Sequence, residues 1–255
     1  MRNARQEGVV MSSRMEELDR IAAEYHLNDG VSDMHIENLS QEFFIEWFVQ
    51  RIPPGARVLE MGYGDGLVTA ALAKLDCDLT VIEGAHSLVM RARQRQPDVE
   101  CLHELFEEHR PAKPYDVVLA SHILEHVDDP RTTLDAMASW VALGGKVVVA
   151  VPNRNSLHRQ LAVVMGLQPA LDTLSKRDHI VGHQRVYSFE TLAEDLRRSG
   201  LKVIEKNGCF LKVLPNSMML DYSRDLLRGL NAISAQLPQE LLANIAVVAV
   251  KESDS

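Results

Sequence analysis

Cysteine is scarce in this chain. The 255 residues hold three, Cys77, Cys101 and Cys209, far apart and never in a C-x-x-C spacing. That excludes a disulfide framework and the common zinc-ribbon patterns, and it predicts free thiols in a reducing cytosol. The first residues, Met1-Arg-Asn-Ala-Arg-Gln-Glu-Gly8, lack a continuous apolar stretch, so no secretory leader is expected. No apolar run approaches the roughly 18 residues that span a bilayer, so the expectation is a soluble, cytoplasmic protein without a membrane partner. An excess of basic residues is also missing. The formal charge of −9 argues against a broad nucleic-acid or anionic-membrane surface, and Arg91, Arg93 and Arg95 read as a solvated helix face. Internal repeats and low-complexity tracts are absent. What remains is a chain with 46% hydrophobic residues, long enough to bury a full core.

Its rhythm is β/α alternation. Ser13–Tyr25 fits an amphipathic helix behind a frayed 1–12 segment. Ser40 reads as the cap of a second helix, Gln41–Arg51, with Phe43, Phe44, Trp47 and Phe48 in an aromatic stripe, expected as core packing and also a candidate homodimer surface. Strands follow at Arg57–Glu60, Asp78–Glu83, Val99–Leu102, Tyr115–Ala120 and Gly144–Val151, with helices at Leu67–Leu75, Ser87–Arg95 and Arg131–Trp140. The pattern predicts an α/β doubly wound, mostly parallel sheet with helices on both faces. Beyond Pro152 the rhythm breaks, and residues 153–188 carry no clear strand. A helix capped by Ser188, Phe189–Ser199, precedes a strand at Leu201–Glu205. A helical Leu220–Leu237 and a closing strand, Ala243–Val250, complete the chain. The expected organisation is an N-terminal helical cap, 1–52, on a Rossmann-like domain, 53–255, with 153–188 as an insertion covering the substrate.

The stretch Glu60-Met-Gly62-Tyr-Gly64-Asp-Gly66 lies between the first strand and its helix. Alternating glycines let the backbone take positive φ and approach a ligand, and a helix N-terminus behind them offers unpaired N–H groups. By itself the turn fits either a nucleotide-like ligand or a tight turn with none. The spacing is not the G-x-G-x-x-G of dinucleotide folds, and Glu60 would repel a pyrophosphate while accepting a cation or a hydroxyl. Glu83, 23 residues on, can accept both hydroxyls of a ribose. Glu104, with Leu105 and Phe106, could bond an exocyclic amine and flank a purine.

Taken in order, the glycine turn, Glu83, Glu104, the Tyr115-Asp-Val-Val strand running to Leu124-Glu-His-Val127, and Gly144-Gly-Lys-Val resemble the class I S-adenosylmethionine-dependent methyltransferases, over about residues 40–151. Within that superfamily the chain is most similar to small-molecule enzymes related to the ubiquinone-biosynthesis O-methyltransferases, which share the Leu-Glu-His-Val segment and a late Gly-His pair, here Gly182-His183. The resemblance implies a seven-stranded sheet with its last strand antiparallel, S-adenosyl-L-methionine as cofactor and S-adenosyl-L-homocysteine as product. It also implies that Glu60, Gly62, Tyr63, Gly64 and Gly66 hold the methionine part, that Glu83 and Gly84 take the ribose side, and that Glu104, Leu105 and Phe106 bind adenine. Ala120, Ser121 and His122 would line the cleft near the sulfonium. Tyr63 departs from the small residue often found there, which predicts a changed local pocket.

Methyl transfer from a sulfonium needs in-line alignment and an acceptor that loses its proton. Histidine suits that second task, and His122, His126 and His183 are the candidate catalytic residues. His122-x-x-Glu125-His126 also matches the H-x-x-E-H zinc string, but it follows a strand rather than lying on a helix, so Glu125 and His126 are read as structural and no metal is expected. Some ubiquinone-type relatives hold a divalent metal here through an acid-x-x-Glu-His string, whose first position is His122 in this chain. On an extended strand His183, Arg185 and Tyr187 would face one way; Arg185 and Tyr187, with His35, are the expected substrate contacts. The expected reaction is transfer to a small-molecule hydroxyl, with nitrogen or carbon acceptors, a nicotinamide oxidoreductase or a non-catalytic nucleotide-binding protein as alternatives. The absence of an Asn/Asp-Pro-Pro-aromatic string after the fourth strand argues against nucleic acid as acceptor.

Overall fold

A computed structural model describes residues 2–251, with side chains from Ser13 onward. Two helices, α1 (Arg2–Glu24) and α2 (Met34–Val49), lead into β1 (Ala56–Met61), α3 (Leu67–Leu72), β2 (Cys77–Glu83), α4 (His86–Arg95), β3 (Glu100–His103), β4 (Tyr115–Ser121), α5 (Pro130–Trp140) and β5 (Val141–Pro152). Then come α6 (Leu157–Val164), α7 (Lys176–Ile180), α8 (Phe189–Arg198), β6 (Leu201–Cys209), α9 (Arg224–Ser234) and β7 (Asn244–Lys251).

The strands form one seven-stranded sheet in the order β3-β2-β1-β4-β5-β7-β6. The pairs from β3 through β5 are parallel, and β7 runs antiparallel to both β5 and β6. The central strands are apolar on both faces, as a sheet covered by helices on each side requires. Alternate residues go to opposite layers. Val58, Val81, Val117, Leu119 and Val148 face the layer that holds α2, α3 and α4. Leu59, Ile82, Val118, Val147 and Val149 face the layer that holds α5 and α8. Strand order reverses between β1 and β4, so a crevice opens at their carboxyl ends, where open α/β sheets receive ligands.

Boundary expectations fare unevenly. Ser188 caps α8, accepting the Thr191 N–H, and Gly200 at φ +74 ends that helix. The second helix starts at Met34, six residues before the expected Ser40 cap, and Ser40 is instead a buried mid-helix residue whose hydroxyl accepts from Asn244. α1 extends to Arg2 where fraying was expected; the segment has no proline to stop it. α9 is shorter than expected, because Ser223 caps it by accepting the Leu226 N–H. The aromatic stripe is core: Phe44 and Phe48 are fully buried and stack at 5.5 Å, while Trp47 donates to Glu205.

Candidate functional site

A cleft of about 1020 Å³ opens over the carboxyl ends of β1, β2 and β4. One wall is the glycine turn. α1 and α2 form another, and further lining comes from the turn after β4 (121–128) and from residues within 158–184 and 210–220. The volume exceeds the usual range for a single drug-sized ligand, which allows two small molecules side by side.

The turn is shaped by sterics at two glycines. Gly62 has φ +76, and a Cβ there would lie 2.7 Å from Ile123 Cδ1. Gly66 has φ +74, and a Cβ there would lie 2.4 Å from the Tyr63 ring. Tyr63 borders the cleft, yet its ring is buried over Gly66 and its hydroxyl donates to Gln96 at 2.7 Å. The expected change to the ligand pocket therefore does not follow, because the ring fills core space. Gly66→Ala is expected to cost about 2–4 kcal/mol in chemical denaturation, the sum of a left-handed Ala and an overpacked contact. Truncating Tyr63 in the same chain should relieve only the overpacked part.

Two acids meet at the turn. Glu83 accepts the Tyr63 N–H at 2.9 Å and the Ala85 N–H at 2.8 Å, so its carboxylate is fixed at the end of β2. Glu60 is 3% exposed, and its Oε2 is buried with no hydrogen-bond partner. Burial, reinforced by the charge of Glu83, pushes the Glu60 carboxyl up to about 8 against the pull of Thr69.

Across the cleft stand the histidines. His122 follows β4 with φ +58, a strained backbone for a residue other than glycine. Its Nδ1 lies 3.0 Å from Glu125 Oε1, while its Nε2 is buried and unpartnered. Burial alone would lower the imidazole's pKa; the hydrogen bond and charge of Glu125 outweigh it and raise it. His183 Nδ1 lies 2.9 Å from Asp178 Oδ1, and Asp178 also pairs with Arg159 at 3.1 Å. Burial opposes ionisation of Asp178, but these partners hold its carboxyl well below the usual range. His126 packs edge-on against His183 with centroids 4.7 Å apart. Burial, aided by the charge of His183, brings His126 down to about 4, so it is neutral near pH 7. Residues 122–126 form a turn, not a helix, in line with the rejection of a zinc-protease motif.

Of the expected site residues, Glu60, Gly62, Tyr63, Gly64, Glu83, Gly84, Phe106, Ser121, His122, His126 and His183 border the cleft. Seven do not. Gly66 is buried at the N-cap of α3. Ala120 is wholly buried in the sheet between Met61 and Val149. Glu104 turns its carboxylate to His109 Nδ1 at 2.9 Å, and Leu105 packs towards Gly84. Only Phe106 of that trio reaches the cleft. His35 is half-buried on α2, away from the cleft. Arg185 donates to the carbonyls of Leu124, Val127 and Asp128, bracing the His122–Asp128 turn from behind, so it is not free to grip a substrate anion. Tyr187 is 3% exposed beneath α8, because 183–187 is not the continuous strand that would face its odd positions one way.

Sequence reasoning missed Asp178, His158, Glu37, Asn216 and Lys212, all at the cleft. Asp178 had a signal: Ser175-x-x-Asp178 forms a capping box. Glu37 lies on α2 and His158 on α6, where helical periodicity marks no function, and Lys212 and Asn216 lie between β6 and α9.

The methyltransferase-domain model of protein families matches residues 37–206. The chain belongs to that family. It is a class I S-adenosylmethionine-dependent methyltransferase, which removes the nicotinamide and non-catalytic alternatives. A ubiquinone biosynthesis O-methyltransferase of Xylella fastidiosa is 31% identical over 76% of this chain and 80% of its own length. The enzyme of that name from Aeromonas salmonicida is 30% identical over 68% and 74%. Among solved structures, a Haloferax volcanii methyltransferase in complex with the Trm112 activator shares the fold, with a TM-score of 0.62 at 20% identity over 93% of this chain and 98% of that one. The N-methyltransferase NodS of Bradyrhizobium japonicum, bound to S-adenosylhomocysteine, has a TM-score of 0.55 at 16% identity, with the same coverage. No helix among the described residues is long and apolar enough to cross a membrane.

Proposed function

We propose that this methyltransferase moves a methyl group from S-adenosylmethionine to a hydroxyl oxygen of a small molecule, with His122 as general base. The observation that carries the proposal is the buried, unpartnered Nε2 of His122, backed through Nδ1 by a fully buried Glu125. With Nδ1–H donated to that carboxylate, the Nε2 lone pair is left for a proton from the acceptor. Bound S-adenosylmethionine would supply the methyl group, its carbon–sulfur bond breaking as the carbon–oxygen bond forms and leaving a thioether, and His122 Nε2 would take the hydroxyl proton. The names of the curated relatives, O-methyltransferases, support an oxygen acceptor.

On the donor side Glu60 would face the cofactor's ammonium, Gly62 and Gly64 would let the backbone approach it, and Glu83 would take the ribose hydroxyls. Phe106 would lie against the adenine. His183, held by Asp178, would orient the acceptor. The 153–188 segment, with α1 and α2, would cover it.

A second reading concerns a divalent cation. Glu125, His126 and His183 bring ligand atoms within 4.8 Å of one another. The set fits such an ion, since Glu125 Oε2 lacks a partner and His126 is neutral near pH 7. These three residues would hold it, and it would lower the pKa of a nearby hydroxyl. Titrating Mg²⁺ and Zn²⁺ into the wild type and Glu125→Gln separates the readings: binding lost in the variant favours the cation, and no binding leaves the histidine alone.

The expected result of a screen with methyl-labelled cofactor over catechols, phenols, amines and thiols is a methyl ether product by mass spectrometry. Transfer to amines alone would overturn the oxygen assignment.

A further inference from the structure

The acceptor side of the cleft carries a positive charge that the methyl-donor chemistry does not use. Lys212 follows β6 and borders the cleft; its ammonium has no hydrogen-bond or ion-pair partner among the described residues. Beside it His158, on α6, has a buried Nδ1 with no partner. The neighbouring charges are already engaged. Arg159 donates to the carbonyls of Leu171 and Thr173 and pairs with Asp178. Arg177 pairs with Asp33 at 2.7 Å and lies over the Tyr25 ring. Asn216 donates to both Asp33 and Glu37. Lys212 and His158 are therefore donors left open on that wall; Lys176 also borders the cleft but is exposed to solvent.

Lys212 is half-buried, and an ammonium at a cleft wall without a counter-ion is open to donate a charge-assisted hydrogen bond to an oxyanion. Burial lowers the Lys212 ammonium's pKa despite the opposing charge of Glu37, and Arg159 adds to the lowering. Burial and the charge of Lys212 hold His158 far below its ordinary value, so it is a neutral hydrogen-bond donor or acceptor. Lys212, His158 and the proposed base His122 border the same cleft.

We propose that Lys212 and His158 form an anion-receiving end of the acceptor site, so that the methyl acceptor is a hydroxy acid carrying a carboxylate-type oxyanion apart from its nucleophilic hydroxyl. The ammonium supplies the charge and the imidazole a second hydrogen bond, leaving the hydroxyl end to His122. This inference rests on reading the cleft as an O-methyl transfer site. Lys212 lies outside the 37–206 stretch that matches the family model.

The test uses protein saturated with S-adenosylhomocysteine and three probes: 3,4-dihydroxybenzoate, its methyl ester and catechol. Calorimetry is expected to show the acid binding about tenfold or more tighter than the ester or catechol. Lys212→Met should remove most of that preference and leave ester affinity within about twofold. Lys212→Arg should keep part of it, and unchanged S-adenosylhomocysteine binding reports that each variant is folded. Equal binding of acid and ester, an undiminished preference in Lys212→Met, or no binding of any probe would each overturn the anion-receiving end. Methyl transfer to catechol and ester as fast as to the acid would overturn it while supporting oxygen as acceptor. Transfer to amines but to no hydroxyl would overturn both.

Discussion

Replacing Glu60 with glutamine is expected to weaken S-adenosylhomocysteine binding about 10- to 100-fold, the range for a charge-assisted hydrogen bond lost from a buried site. The side chain is 3% exposed with one oxygen unpartnered at the cleft, so water cannot replace the cofactor's ammonium there. Glutamine keeps the shape and cannot ionise. The variant should remain folded, because the same burial that makes Glu60 useful also makes its charge a burden to the free protein.

That burden has a sign that can be measured. The free fold raises the Glu60 carboxyl from 4.5 to about 8, so the fold prefers the protonated form. The resulting stabilisation is fully present below pH 4.5 and is lost as pH rises through about 8. An incoming ammonium favours the ionised form, so binding near pH 7 should release close to one proton. Affinity should then strengthen by up to about tenfold per pH unit between about pH 6 and 8 and level off above. Calorimetry in phosphate and in Tris should give different apparent enthalpies for the wild type and matching ones for Glu60→Gln. An affinity that is flat over this window would mean that Glu60 is already ionised in the free protein.

The donor half of the cleft was legible in the sequence because it is built from regular structure. A buried strand followed by glycines at alternating positions leaves few conformations, and the strand end fixes where Glu60 and Glu83 project. His122 was legible for the same reason: one residue past β4, it has little freedom. Where the chain leaves regular structure the reading fails. Glu104 was assigned by its place after β3, yet a short turn brings His109 within 2.9 Å and captures the carboxylate. Arg185 and Tyr187 were assigned by strand alternation, but a coil has no alternation to obey, and Arg185 is drawn to three carbonyls instead. Lys212 and His158 belong to no motif. They share a cleft wall because the chain just past β6 and the first turn of α6 both border it, a fact of topology rather than spacing. Such segments are also where methyltransferases can differ in acceptor on one shared scaffold.

The strained backbone of His122 decides how its role should be tested. At φ +58 an alanine would add a steric penalty unrelated to catalysis, whereas asparagine tolerates the left-handed region. His122→Asn is therefore the cleaner variant. It is expected to lower kcat by about 10²–10⁴-fold, the span of a lost general base, with S-adenosylhomocysteine affinity changed by less than about threefold, since the donor contacts assigned to Glu60 and Glu83 remain. Glu125→Gln should also cut kcat severely, because the amide no longer dictates that Nδ1 carries the proton, and the lone pair at Nε2 is lost in part of the population. The two losses should not add in the double variant, since both remove one unit. His183→Asn is expected to act chiefly on KM, because its partner Asp178 fixes a ring that orients the acceptor and takes no proton. If kcat survived in His122→Asn and collapsed in His183→Asn, the base would be the Asp178-backed imidazole, and His122 would be left as a lining residue.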